Sequence, residues 1–156
     1  MTTTHVTRHV RASRHRVYTA LTDARDVARW RFPAAMTCRI HEWDARDGGR
    51  LRVSLTYDDA GRAGKTTPTT DTYHGRFVTL VPDELLVEVD EFETDDPAFA
   101  GEMTISIRLA DTDDGTDIVA VHEGLPAAVS TADNEQGWRE ALQRLATLVE
   151  PATGGS

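Results

Sequence analysis

His122 is the residue in this sequence whose type and setting best suit acid–base chemistry. It alternates with Ile118 and Ala120 in a run typical of a β-strand, so the three side chains are expected to share one face. Histidine titrates near neutrality, and a histidine beside a cavity could orient a ligand or transfer a proton. A structural histidine that is hydrogen-bonded to a neighbour fits the same pattern, and we favour that interpretation.

The other reactive residue types do not assemble into a recognisable site. Cys38 and His41 form an isolated C-x-x-H, whereas a metal site needs three or four converging ligands. Asp95-Asp96 and Asp113-Asp114 lie in predicted loops, where hydration leaves both carboxylates charged. The phosphate-loop, dinucleotide-binding and hydrolase-elbow motifs do not occur. We therefore predict no catalytic residue, no metal and no cofactor.

The segments around these residues predict an antiparallel sheet. Apolar and polar residues alternate in the predicted strands, which is typical of half-buried strands; the apolar sets include Leu51, Val53, Leu55 and Tyr57, then Leu85, Val87 and Val89, then Met103, Ile105, Ile107 and Leu109. A first strand near residues 5–10 precedes two short predicted helices. Ser13 is the expected N-cap of the first helix, and Asp26 that of the second.

The C-terminal segment is predicted to form a long amphipathic helix. Asp133 with Gln136 resembles a capping box at its start. The apolar residues recur on one face of this helix, at Trp138, Ala141, Leu142, Leu145, Leu148 and Val149. Such a helix gains most of its stability by burying its apolar face, so we expect it to pack against the sheet.

Residues 58–72 are predicted to form an exposed loop, because they contain Gly, Thr and Asp but no large apolar residue. The loop could act as a lid. A tolerated insertion is the favoured interpretation, since a lid usually carries an apolar residue that closes over the ligand.

Length and composition favour one soluble domain over residues 1–156, with an ordered core of roughly 5–150. A formal net charge of −9 disfavours nucleic acid as a partner. No apolar run is long enough to span a membrane, and no signal core follows Met1, so a cytoplasmic location is expected. The first 57 residues hold 11 arginines against 5 acidic residues, which predicts charge pairing between early and later strands.

Several motifs spread along the chain resemble those of one known family. They are Ala12-Ser13, Val17-Tyr18-x-Ala20-Leu21-Thr22-Asp23 with Trp30, Gly75 followed by Pro82, His122-Glu123-Gly124-Leu125, and Gly137-Trp138. Together they resemble the Hsp90-ATPase-activator-homologue (AHSA1-like) family of the START-like (Bet v 1-like, helix-grip) superfamily, over roughly residues 5–150. The resemblance implies an α+β helix-grip fold, in which about seven antiparallel strands wrap around the long C-terminal helix and two short helices separate strands 1 and 2.

The resemblance also implies a cavity between the sheet and the C-terminal helix. In the wider superfamily such cavities hold lipids, sterols, polyketides or plant hormones, and a few are active sites of cyclases or hydratases. In the eukaryotic co-chaperone the similar domain is attached to a separate Hsp90-binding domain, for which no residues remain here. Hsp90 activation is therefore not expected.

Our leading hypothesis from the sequence is a cavity that binds a small apolar molecule for sensing, carriage or sequestration, without membrane insertion. The candidate ligand-binding residues lie on the predicted inward faces: Trp30, Val53, Leu55, Tyr57, Met103, Ile105, Ile107, Ile118, Ala120, His122, Trp138 and Leu142. One alternative is a cyclase-like or hydrolase-like enzyme that uses His122 as general acid or base. Another is a homodimer formed through Val119, Val121 and Phe92, which are predicted to face outward.

Overall fold

The computed structural model describes residues 2–33, 36–57 and 70–151. Seven strands and three helices follow one another in the order β1 (Thr3–Val10), α1 (Arg14–Thr22), α2 (Ala24–Trp30), β2 (Met36–Trp43), β3 (Arg50–Tyr57), β4 (Thr70–Val81), β5 (Leu85–Phe92), β6 (Glu102–Thr112), β7 (Gly115–Glu123) and α3 (Thr131–Val149). The predicted α+β arrangement, with two short helices after the first strand and a long C-terminal helix, is confirmed.

All seven strands form one antiparallel sheet, in the order β1-β7-β6-β5-β4-β3-β2. Strands β2 to β7 follow one another as neighbours, whereas β1 pairs with β7 at the far edge. The chain between β1 and β2 must therefore cross the width of the sheet, and α1 and α2 lie in this connection. Their buried residues belong to the same apolar core as those of the sheet and α3.

Period-two alternation correctly predicted the inward face of most strands. In β6 the buried residues are Met103, Ile105, Ile107 and Leu109, and in β7 they include Ile118, Ala120 and His122. The prediction was wrong for β5. There Leu86, Glu88 and Asp90 are buried, while Leu85, Val87 and Val89 are half-buried on the other face. The inward carboxylates are held by a partner distant in sequence, described below.

Helix α3 buries one stripe of side chains against the core. The buried residues are Trp138, Ala141, Leu142, Leu145, Ala146 and Val149, which follow the i, i+3, i+4, i+7, i+8, i+11 spacing of an α-helical face. Leu148, which was predicted on this stripe, lies at its edge and is only partly buried. The helix begins earlier than the Asp133 capping box implied, because the Ser130 side chain accepts a hydrogen bond from the backbone N–H of Asp133.

The two short helices are capped in sequence. Ser13 is the N-cap of α1, as predicted, and its hydroxyl accepts from the N–H of Arg16 at 3.1 Å. The predicted cap of α2 was wrong by three residues: Asp23, not Asp26, is the N-cap, and its side chain accepts from the backbone N–H groups of Arg25 and Asp26. Asp23 is thus both the C-cap of α1 and the N-cap of α2.

The structure also bears on three further predictions, which concern Phe92, the loop at residues 58–72 and membrane-spanning helices. Phe92 does not face outward, because it packs on the core with its ring edge-on to Tyr73 at 6.5 Å. Of the predicted loop, residues 70–72 belong to β4 and residues 58–69 lie outside the described part of the chain. Across the described residues, no helix is both long and apolar enough to cross a membrane.

Candidate functional site

A cavity of about 720 Å³ lies between the N-terminal half of α3 and the β3–β7 part of the sheet. Its volume falls within the range of pockets that enclose small molecules. Arg31, Phe32 and Pro33, which follow α2, and the segment before α3 form its sides. The apolar part of the wall comprises Phe32, Pro33, Met36, Leu55, Phe92, Phe99, Met103, Ile105, Leu125, Ala128, Val129, Trp138 and Ala141.

Five of the candidate residues from the sequence line this cavity: Leu55, Met103, Ile105, His122 and Trp138. Six others are buried in the packed core instead: Trp30, Val53, Ile107, Ile118, Ala120 and Leu142. Tyr57 ends β3, and its side chain lies outside the described residues. Alternation identifies the inward face of a strand, but it cannot tell where along that face helices fill the space and where they leave it open.

The polar part of the wall includes an ionic cluster that sequence reasoning missed. Arg31, the residue that follows α2, places its Nη1 at 2.6 Å from Glu88 Oε1 and its Nη2 at 3.9 Å from Asp90 Oδ2. All three side chains are at least 94% buried, and Arg31 and Asp90 line the cavity. The signal in the sequence was two acids two residues apart within a strand pattern, which put both carboxylates on one face.

Two tryptophans flank the Arg31 guanidinium. Its central carbon lies 6.0 Å from the ring centroid of Trp43 and 5.8 Å from that of Trp138. At this range the ring quadrupoles attract a cation, and the attraction is larger when water is excluded. The indole rings and the Glu88 carboxylate thereby hold the charge of Arg31 inside the core.

The two carboxyl groups differ in protonation. Burial would raise the pKa of Glu88, but the charge of Arg31 and hydrogen bonds from Asp90 and Arg31 lower it on balance. For Asp90, burial, the negative charge of Glu88 and the hydrogen bond to Glu88 raise the pKa well above its usual range, against the opposing effect of Arg31. Of the two carboxyl groups, Glu88 therefore ionises more readily beside Arg31, and Asp90 retains a proton more readily.

Gly75 makes room for Asp90. The two residues are register partners on β4 and β5, and a Cβ at position 75 would lie 2.2 Å from Asp90 Oδ1. A side chain there would displace the carboxyl from its place in the wall. The absence of a side chain at Gly75 thus helps to keep Asp90 beside the cavity.

His122 is a neutral histidine with an assignable tautomer. The Trp138 indole N–H, which can only donate, lies 3.1 Å from His122 Nδ1, so Nδ1 accepts and Nε2 carries the proton. Nε2 points at the thioether of Met103, with 3.2 Å between nitrogen and sulfur. Burial and the charge of Arg31 lower the pKa of His122 to about 4, against the effect of Glu88. At neutral pH this ring is a hydrogen-bond donor to the cavity and a weak base.

The described residues contain no cluster of three or more His, Cys, Asp or Glu side chains that could hold a metal ion. Burial raises the pKa of Cys38 to about 11, which makes it a thiol rather than a nucleophilic thiolate at neutral pH. The exposed His41 is hydrogen-bonded to Ser54 at 2.7 Å instead of facing Cys38.

Comparison with known proteins identifies the fold and the family. Residues 11–150 match the family described as Activator of Hsp90 ATPase homolog 1-like protein. Comparison with curated proteins gave no match. A solved structure from Chromobacterium violaceum is similar, with 31% sequence identity and a TM-score of 0.85 over 97% of this chain and 100% of that one.

More distant solved structures share the fold. A Rhodobacter sphaeroides protein is 19% identical, with a TM-score of 0.77 over 94% of this chain and 91% of its own. A Mycobacterium smegmatis protein is 17% identical, with a TM-score of 0.72 over 97% and 92% of the two chains. At these identities the likeness concerns the arrangement of helices and strands alone.

Proposed function

Because the chain belongs to the Activator of Hsp90 ATPase homolog 1-like family and a largely apolar cavity lies between its α3 and the sheet, we propose that it binds a small, mainly apolar molecule there. Sensing, carriage and sequestration of that molecule are all served by reversible burial. The observation that carries the proposal is the cavity itself: a volume of about 720 Å³ beside an otherwise packed core. A concave, mainly apolar pocket of this size with a few polar groups in its wall has the usual form of a small-molecule site.

The enzyme alternative that uses His122 as acid or base has less support. A base needs an available lone pair and a pKa near the working pH. Here Nδ1 already accepts from Trp138, and burial lowers the pKa of the ring to about 4. The same geometry suits a residue that orients a bound molecule.

The homodimer alternative lacks an exposed apolar patch on the described part of the chain. Val119 and Val121 are half-buried, and Phe92 packs on the core. Among the described residues, Val78 on β4 is the only large apolar side chain that is exposed. One such residue does not make the contiguous patch that marks a stable contact.

Native mass spectrometry of the purified protein tests the proposal and would give the mass of a ligand retained during purification. The stripped protein is then titrated with 2-isopropylnaphthalene, and isothermal titration calorimetry measures the affinity and the stoichiometry. We expect saturable one-to-one binding. Absence of both a co-purifying molecule and saturable binding would remove the basis of the proposal.

Gly137 supplies a matched pair of control variants. It lies on α3 between the cavity-lining Asn134 and Trp138, itself lines the cavity, and a Cβ there would meet no heavy atom within 4 Å. Gly137→Ala should stabilise the fold by about 0.5 to 1 kcal/mol, because glycine is a poor helix former, and should still bind the probe. Gly137→Phe should keep the stability and lose most of the binding. Equal binding by both variants would place the probe elsewhere.

A further inference from the structure

The ring N–H of His122 has only a weak hydrogen-bond acceptor in front of it. Its Nε2–H points at the Met103 sulfur, and thioethers are weak hydrogen-bond acceptors. Within the part of the chain that the structure describes, this sulfur is the only hydrogen-bond partner of Nε2. An oxygen in place of the sulfur would give this buried N–H a stronger hydrogen bond and would lower the free energy of the site.

The Met103 side chain can move away from His122 Nε2 and make room for such an oxygen. It lines the cavity beside His122, and its unbranched thioether can adopt other rotamers at small cost. On the neighbouring strand its register partner is Asp90, which faces the cavity together with Arg31. An oxygen that displaced the sulfur would thus lie between His122 and the Arg31–Asp90 pair.

The charges of this wall select a neutral group. Arg31 is already paired with Glu88 at 2.6 Å and lies 3.9 Å from Asp90, so the cluster has no unpaired positive charge to offer an anion. The Glu88 carboxylate would repel a bound anion, which would either take up a proton or leave. Arg31 would repel a bound cation in the same way. Either charge would lose its hydration without a matched partner.

We propose, on the basis of the binding function above, that the ligand is a neutral molecule with an apolar body and a carbonyl-type acceptor oxygen, which accepts a hydrogen bond from His122 Nε2 beside the Arg31–Asp90 pair. The apolar body lies against the aromatic and aliphatic side chains of the rest of the wall, such as Phe92, Phe99 and Leu125. The oxygen fixes the orientation of the molecule, and the apolar contacts supply most of the affinity.

Three probes of nearly equal shape test this: 2-acetylnaphthalene, 2-isopropylnaphthalene and 2-naphthoate. Binding is measured by titration to wild type and to His122→Phe, which keeps an aromatic ring and removes the N–H. The ratio of ketone to hydrocarbon affinity should fall roughly three- to tenfold in His122→Phe. Ile105→Val, an apolar change in the same wall, should leave the ratio unchanged. A ratio that His122→Phe does not alter would overturn the proposal.

The naphthoate and the infrared spectrum give independent outcomes. In wild type 2-naphthoate should bind at least tenfold more weakly than the ketone; tighter binding would mean an anionic ligand and would refute neutrality. The carbonyl stretch of bound 2-acetylnaphthalene should lie below its frequency in hexane, and a hexane-like frequency would refute the hydrogen bond even if His122→Phe failed to fold. If none of the three probes binds, the proposed function itself fails, and not only its ligand class.

Discussion

At the scale of single residues, the protein buries one cation with two carboxyl groups whose pKa values are shifted in opposite directions. Glu88 pairs with Arg31 at 2.6 Å and is fully buried, whereas burial and the charge of Glu88 raise the pKa of its neighbour Asp90. Removing one partner of a buried ion pair leaves the other charge without compensation. The two carboxyl groups should therefore respond very differently to neutralisation.

We predict that Glu88→Gln lowers the free energy of unfolding at pH 7 by about 3 to 5 kcal/mol, because Arg31 loses its ionic partner. Asp90→Asn should change it by no more than about 1 kcal/mol, because an amide keeps both a donor and an acceptor at the site of a neutral acid. Urea unfolding of the two variants beside wild type measures both values. The reverse order would mean that Asp90, and not Glu88, carries the charge.

His122 should make stability depend on acid. The pKa of His122 is lowered to about 4 from 6.5, so the folded state resists protonation while the unfolded chain takes up a proton below about 6.5. The contribution of His122 to the free energy of unfolding is therefore fully present above pH 6.5 and is lost as the pH falls toward 4. The total loss is about 3 kcal/mol.

The variant His122→Gln isolates this contribution, since the amide oxygen can still accept from Trp138. The stability difference between wild type and His122→Gln should shrink steadily from pH 6.5 to pH 4. Asp90 acts in the opposite direction over part of this window, because its pKa is raised, and its effect cancels in the difference. A difference that is constant with pH would show that His122 is not held neutral in the folded protein.

At the scale of elements, α3 packs on the core through one helical stripe. Leu145 is fully buried in this stripe, whereas Leu148 lies at its edge and is only partly buried. We predict that Leu145→Ala costs about 2 to 5 kcal/mol of unfolding free energy, because it removes apolar contacts and leaves a void in the core. Leu148→Ala, the matched deletion on the same helix, should cost clearly less. Chemical denaturation compares the two, and equal losses would mean that the buried stripe is rotated toward Leu148.

Much of the fold could be predicted from local patterns, because the period of apolar residues reports directly on helix and strand. The inward faces of β3, β6 and β7 follow from that rule alone. The face of β5 does not, since the residues that turn inward there are acids and their partner Arg31 lies 57 residues earlier. No local pattern reveals a partner at that separation.

The same reason limits prediction of the candidate site. His122, Met103 and Trp138 were predicted because they lie on apolar faces, whereas Arg31 and Asp90 were missed because charged residues are rarely buried. Helix starts were misplaced by up to three residues where two capping residues compete. Ser130 prevails over Asp133 because its hydroxyl reaches a free N–H at the true first turn.

At the scale of the whole molecule, the arginine-rich first third of the chain pairs with acidic residues of later elements. Arg14 lies 2.9 Å from Asp111, and Arg52 binds Glu93 through two hydrogen bonds. These pairs are largely exposed, and each contributes little to stability. They indicate that the uneven charge distribution serves pairing within the chain. The cavity is then the feature that needs a functional explanation.

The central claim is that a small apolar molecule binds between α3 and the sheet, and methyl NMR tests it most directly. In protein labelled at methionine and isoleucine methyl groups and titrated with 2-isopropylnaphthalene, ring currents should shift Met36, Met103 and Ile105, which line the cavity, while Ile118, buried in the packed core, stays unchanged. Saturable shifts at the three cavity residues are the predicted result. Binding that leaves them unshifted, or no binding at all, would contradict the account.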